Sequence, residues 1–267
     1  MLTLGKTALL GAVLIGTTAS SQAGLLSSDV RPGDLRCEYL KNPLGMDLET
    51  PRLYWKVEAK SSKTRGLFQS AYQIQVASSR ERLAKNKPDL WDTGKVKSPL
   101  STHIDYKGWP LSYPMDCFWR VRIADQSGKW SRWSDVAFWS MGPMNMEDWS
   151  ASWVGSEEIF NPKDDIFEPC MSNPWLRKTY DLALAPEKAL LHVASAGFHE
   201  VYVNGEKVGN EVLSPHVSNL KKNQVRYKTY DIAPYLKQGK NTVAFWLGVG
   251  WVGFPEFDVP ERPRTPI

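Results

Sequence analysis

The stretch FWRVRIADQSGKWSRWS, Phe118 to Ser134, decides how this chain is read. In its first half Trp119, Val121 and Ile123 alternate with Arg120 and Arg122, the period-two signature of a half-buried antiparallel strand. Gln126-Ser127-Gly128 then interrupts the pattern as a turn. On a strand, Arg120 and Arg122 project to one face about 7 Å apart. Trp130 and Trp133 follow at a spacing that interleaves their indoles with the two guanidinium groups, each cation–π contact contributing about 0.5–2 kcal/mol. These four residues read as a structural ladder that stiffens a β-sandwich.

The same alternation recurs on both sides. Tyr72, Ile74 and Val76 alternate with Gln73 and Gln75, and turn signals separate the periodic runs at Pro43-Leu44-Gly45, Asp92-Thr93-Gly94, Asn204-Gly205 and Lys237-Gln238-Gly239. No convincing amphipathic helix longer than about one turn is found. Short strands with frequent turns predict an all-β fold of two β-sandwich modules. The first spans about residues 30–143, with strands at Leu53–Glu58, Ala71–Ala77, Leu90–Thr93, His103–Tyr106, Phe118–Ala124 and Ala137–Ser140. Residues 144–174 read as a connector, Gly142-Pro143-Met144-Asn145 leading into it. The second module occupies 175–267, with strands at Trp175–Asp181, Ala189–Ser195, His199–Val203, Arg226–Asp231 and Thr242–Leu247.

Residues 1–23 read as a signal peptide: Lys6 is the positive n-region, Ala8 to Thr18 the apolar h-region, and Ser21-Gln22-Ala23 the small-x-small cleavage site. The apolar run is too short for a hydrocarbon core of roughly 30 Å. A mature chain starting near Gly24, secreted or periplasmic and free of the membrane, is expected. The remainder is long enough for two domains of about 100 to 150 residues. The net charge of +4 is spread along the chain, and the one short basic cluster, Lys221-Lys222 with Arg226, reads as a solvated loop. A nucleic-acid partner is not expected. The twelve Trp suit large β cores and stacking platforms for flat ligands. Cys37, Cys117 and Cys170 are odd in number and far apart, so no disulfide framework is expected, although one pair remains open.

Trp130-Ser131-Arg132-Trp133-Ser134 spells the WSxWS pattern of cytokine-receptor fibronectin modules, a likeness confined to five residues. A wider resemblance emerges from the order of the pieces. The run SAGFHEVYVNGEKVG, then LSP, then VRYKTYDIAPYLKQGKNTVAFWLGVGW resembles the N-terminal module of bacterial α-L-rhamnosidases, family 78 of the glycoside hydrolases. Upstream, LRCEYLKNPLGMDLETPRLYWKVEA, GLFQSAYQIQVASS, LWDTGKV and FWRVRIADQSGKWSRWSDVAFWSMG resemble the fibronectin-like module that precedes it, and EDWSASWVG resembles the connector. The resemblance implies a fibronectin type III or Ig-like sandwich, then a galactose-binding-like jelly roll, in a protein hydrolysing terminal α-L-rhamnose. The chemistry would belong to a downstream (α/α)₆ barrel, whose D-x-x-R-D-E-R motif has no match here.

Inversion at a sugar needs two carboxyl groups about 6.5–9.5 Å apart, one acid and one base. Glu157-Glu158 and Asp164-Asp165 sit in loop composition and read as solvated surface, so no catalytic residue is assigned. The jelly-roll likeness implies rhamnose-containing glycans as partners, with the catalytic domain of the same enzyme as a second. Some family jelly rolls hold rhamnose through calcium, but no ligand set for calcium or another metal is assigned. On chemistry alone, Trp251 is a candidate to stack on a sugar face, and Glu200 and Asn204, flanking a hairpin, are candidates for hydroxyl contacts. His192 and His199 read as strand or rim residues rather than a metal pair. Two alternatives stay open: a stand-alone carbohydrate-binding module, and a structural or adhesive protein. Pro255, Pro260, Pro263 and Pro266 rule out an interior strand at the end. The second module is therefore expected to be incomplete, with Val243, Phe245 and Leu247 poorly covered.

Overall fold

In a computed structural model, which describes residues 28–155, 173–215 and 224–248, the first module comprises β1 (Val30–Cys37), β2 (Arg52–Ala59), β3 (Gln69–Ala77), the one-turn helix α1 (Arg80–Ala84), β4 (Trp91–Asp92), β5 (Val96–Lys97), β6 (Ile104–Asp105), β7 (Asp116–Asp125) and β8 (Ala137–Ser140). One sheet runs β1-β2-β6 and the other β4-β3-β7-β8, with β5 also on β3. The inward rows meet in a core of Leu53, Trp55, Ile74, Val76, Trp119, Val121, Ile123 and Trp139, all essentially buried. The alternation along β7 predicts this row correctly. β1 escapes such a reading because Pro32 and Gly33 argue against a strand; it is tolerated at the sheet edge, where the register shifts between Gly33 and Arg36.

The outer face of β3 and β7 differs from a solvated one. Gln73 and Gln75 are 8% and 3% exposed. Arg120 lies 4.4 Å from the Trp133 ring centre, and Arg122 lies 5.1 Å from Trp130 and 4.8 Å from Trp133. Beneath the indoles, Arg122 donates to Gln73 Oε1 at 2.6 Å and Arg120 to Gln75 Oε1 at 2.7 Å. Both glutamine amides then donate to the Asp92 carboxylate, at 2.8 and 2.9 Å. The serines of the WSRWS run have their own task. β8 pairs with β7 only as far as Trp119. Beyond it, Ser131 Oγ accepts from Ile123 N and Ser134 Oγ from Val121 N, both at 3.1 Å, while the Ser131 and Ser134 amides donate back to the Ile123 and Val121 carbonyls. They satisfy strand-edge groups that would otherwise be unpaired.

The second module comprises β9 (Trp175–Leu182), β10 (Leu190–Ala194), β11 (Phe198–Val203), β12 (Glu206–Val208), β13 (Tyr227–Asp231) and β14 (Gly239–Gly248). A four-stranded sheet of order β12-β11-β14-β9 faces the β10-β13 pair. Val193, Val201, Val203, Val208, Tyr230, Ile232 and Val243 form the core between them. The expected exposure along the last strand is not found: β14 is an interior strand with β9 and β11 on its flanks, Val243 and Leu247 are buried, and Phe245 packs against the core. The residues of β9 pair along most of β14 and cover the side that sequence left open.

The two modules meet at a tight joint. Tyr227 donates from its hydroxyl to the Gly45 carbonyl at 3.0 Å, and Lys188 bonds the Asp116 carboxylate. His192 bonds Thr229 Oγ1 through Nδ1 at 2.8 Å and lies edge-on to Tyr113, Trp149 and Tyr227. Gly142, read from sequence as part of a linker, is packed here: a Cβ on it would stand 2.4 Å from the Tyr227 hydroxyl and 2.8 Å from the Gly45 backbone.

Gly142→Ala should therefore split a single calorimetric unfolding transition into two, with the separated second module melting first. Arg122→Ala removes the partner of a buried glutamine and should cost about 1–3 kcal/mol in denaturant unfolding, with Arg122→Lys recovering only part of it.

Candidate functional site

The outward side chains of the four-stranded sheet make the most distinctive surface of the second module. Pairing sets Trp175 beside Trp246 and Trp246 beside Glu200 in one row, and Arg177, Ala244, Tyr202 and Lys207 in the next. The Trp175 and Trp246 rings stack with centres 5.4 Å apart and planes 7° from parallel. Trp175 also reaches Tyr202, at 4.9 Å, above the small side chain of Ala244. The indoles remain 53% and 42% exposed. Next to them the Glu200 carboxylate accepts from the Tyr202 hydroxyl at 2.8 Å and from the Lys207 ammonium. Lys207, then Tyr202, hold the Glu200 carboxyl below the usual carboxylate range, so near neutral pH it accepts hydrogen bonds and does not supply a proton.

Of the residues singled out from sequence, Glu200 lies on this face. Asn204 is solvent-exposed, but its amide is engaged within the turn. It takes a positive φ of 52° in the Asn204-Gly205 turn, where Nδ2 donates to Tyr235 O and Asn241 Oδ1 and its Oδ1 accepts from Thr242 N. Buried Asn241 extends the staple, donating to the Lys237 and Gly239 carbonyls. Trp251, Cys170, residues 1–23, the two acid pairs and Lys221-Lys222 lie outside the described residues. Arg120, Arg122, Trp130 and Trp133 form the ladder described above, on the other module. No sequence pattern marks Trp175 and Trp246 as a pair, because they are 71 positions apart (246 − 175) and only the β14–β9 register joins them.

A second cluster mimics a catalytic one. Ser195, His199 and Tyr230 are buried and in line, with Ser195 Oγ 2.7 Å from His199 Nδ1 and His199 Nε2 3.0 Å from the Tyr230 hydroxyl. The protons run the wrong way for nucleophilic catalysis. The Ser195 hydroxyl donates to Gly197 O at 2.8 Å, so His199 must donate to it from Nδ1 and accept from Tyr230 at Nε2. A base that donates to its serine cannot deprotonate it. Burial, then the nearby Lys228 charge, lower the His199 pKa to about 4. The two histidines are held apart, His192 at the joint and His199 in the core, and no group of three or more His, Cys, Asp or Glu side chains suited to a metal occurs among the described residues. Cys37 and Cys117 are buried free thiols, Cys117 pushed up to about 12 by burial.

Comparison with known proteins places both modules. The family described as Rha78A-like, N-terminal immunoglobulin domain, matches residues 32–145, and the α-L-rhamnosidase N-terminal domain matches residues 185–261. An α-L-rhamnosidase of Formosa agariphila is 35% identical over 80% of this chain and 23% of its own length, and one of an Alteromonas species is 33% identical over 95% of this chain and 27% of its own. The chain thus spans about a quarter of the curated relatives it matches. The solved α-L-rhamnosidase of Dictyoglumus thermophilum superposes with a TM-score of 0.70 at 34% identity, over 82% of this chain and 25% of that one. The enzyme from Aspergillus terreus, at 23% identity and a TM-score of 0.68 over 83% of this chain and 24% of that one, shares the fold.

Because His199 is buried neutral, the unfolded chain binds a proton that the folded chain refuses between the ordinary His pKa, about 6.5, and about 4. Stability should be full above that window and fall as pH drops through it. Thermal melts from pH 7 to 4 should show this slope, and His199→Gln should flatten it relative to wild type. Matched in order by two domain families and over most of its length by rhamnosidases, the chain belongs to the α-L-rhamnosidase family, whose N-terminal part it represents.

Proposed function

We propose that this chain is the non-catalytic N-terminal portion of an exported α-L-rhamnosidase, positioning or shielding a catalytic domain that hydrolyses terminal α-L-rhamnose. The observation that carries the reading is the ordered match to two N-terminal domains in relatives roughly three and a half times as long. Glycans bearing rhamnose would be the substrates of the whole enzyme, a jelly roll the form of its second module, and residues 1–23 its export signal.

The carboxyl groups support this reading. A glycosidase acid must stay protonated near neutral pH, which requires a raised pKa. Each described carboxyl group with a displaced pKa is displaced downward, among them Glu38 by Arg52, Glu200 by Lys207 and Glu211 by Lys228. These are acceptors in ion pairs, suited to holding a surface together.

Purified chain should release no p-nitrophenol from p-nitrophenyl α-L-rhamnopyranoside, while the protein carrying the downstream region should. Turnover by the chain alone, abolished by substitution of one of its own carboxylates, would overturn the proposal.

A further inference from the structure

We infer that the outer face of the β12-β11-β14-β9 sheet is a glycan-contact surface, with Trp175, Trp246 and Tyr202 as the platform for a neutral pyranose ring and Glu200, Lys207 and Arg177 as its hydroxyl partners. The inference is independent of where hydrolysis occurs in the protein. It would hold for a module with no catalytic domain attached.

Three observations carry it. The rings are fixed before any ligand arrives, because Trp175 is stacked on Trp246 and in contact with Tyr202. Tyr202 is itself anchored to Glu200 through its hydroxyl. A rigid aromatic platform loses little conformational freedom on binding. Next, the polar groups stand at the margin of the rings rather than under them. Glu200 is the cross-strand neighbour of Trp246, Lys207 that of Tyr202, and Arg177 follows Trp175 on the same face of β9. A pyranose has the matching distribution, with C–H bonds on a ring face and hydroxyls around its edge. Glu200 and Lys207 neutralise one another, which suits an uncharged ligand, and the carboxylate keeps lone pairs beyond the two bonds it accepts.

Size separates a sugar from a protein partner. At 53% and 42% exposure, two indoles that each bury some 150–250 Å² offer on the order of 200 Å². A stable protein interface takes about 800 Å² from each partner. One or two sugar rings cover what is available. Single-ring stacking with a few exposed hydrogen bonds corresponds to weak binding, with a Kd on the order of 1 mM for a monosaccharide. A polymer presenting several rings would bind more tightly through repeated contacts.

The test uses the full chain with intrinsic fluorescence and calorimetry. The probes are methyl α-L-rhamnopyranoside, methyl β-D-glucopyranoside, a soluble rhamnose-containing polysaccharide and dextran, each with and without EDTA. Saturable binding of at least one probe, unchanged by EDTA, is expected. Trp175→Ala and Trp246→Ala should each weaken it about tenfold. Glu200→Gln should weaken it less, and Trp109→Ala, which removes an indole 70% exposed on the first module, should leave it unchanged. If the alanine variants unfold, Trp175→Phe and Trp246→Phe, with resonance mapping of the indole N–H groups in wild type, replace them. No saturable response to any probe overturns the inference. So does binding that survives both Trp substitutions, or self-association in sedimentation that either substitution abolishes. None of these readouts depends on rhamnose release, so this inference and the proposed function fail separately.

Discussion

The pleat of two interior strands, β7 and β14, sets everything else in this molecule. Each is flanked on both sides, its inward row is mostly apolar, and its outward row is whatever the partners on that face can hold. Because successive side chains point to opposite faces, a slip of one residue would turn Trp119, Val121 and Ile123 out to water and bring Arg120 and Arg122 into the core. Burial of the apolar row therefore fixes register. Register then decides which outward residues become neighbours, and both distinctive surfaces of the protein follow from that.

The two outward surfaces have opposite characters. On the first module the guanidinium groups of Arg120 and Arg122 are sandwiched between indoles and glutamines, and the glutamines pass their remaining hydrogen bonds to Asp92. That network closes on itself. On the second module Trp175 stacks on Trp246 and meets Tyr202, and ring surface stays open to solvent. A closed face stiffens a sandwich, whereas an open aromatic one is available to a ligand.

The Ser195, His199 and Tyr230 line shows why geometry must be read together with proton direction. Its distances match those of a nucleophile and its base, yet the Gly197 carbonyl takes the serine proton and fixes the histidine as donor. The cluster is better understood as a means of satisfying a buried imidazole, whose lowered pKa records the desolvation it bears.

By itself, the sequence determined the all-β class, the two modules and most strand positions, because period-two alternation and turn residues are local properties that burial enforces. It also carried the Arg–Trp ladder, whose members lie within 13 positions of one another (133 − 120, Arg120 to Trp133), and the family likeness, carried by the order of short runs. Tertiary structure alone decided the rest. The bulged edge strand β1 contradicts local propensity and exists through its pairing with β2. Gly142, outwardly a linker glycine, is fixed by the approach of Tyr227 from the other module. Asn204, a plausible ligand contact in sequence, has its amide occupied by Asn241, Thr242 and the Tyr235 carbonyl. The pairing of Trp175 with Trp246 depends on cross-strand register, a relation between distant segments that no local pattern encodes, and it is this pairing that makes an aromatic surface out of two separate tryptophans.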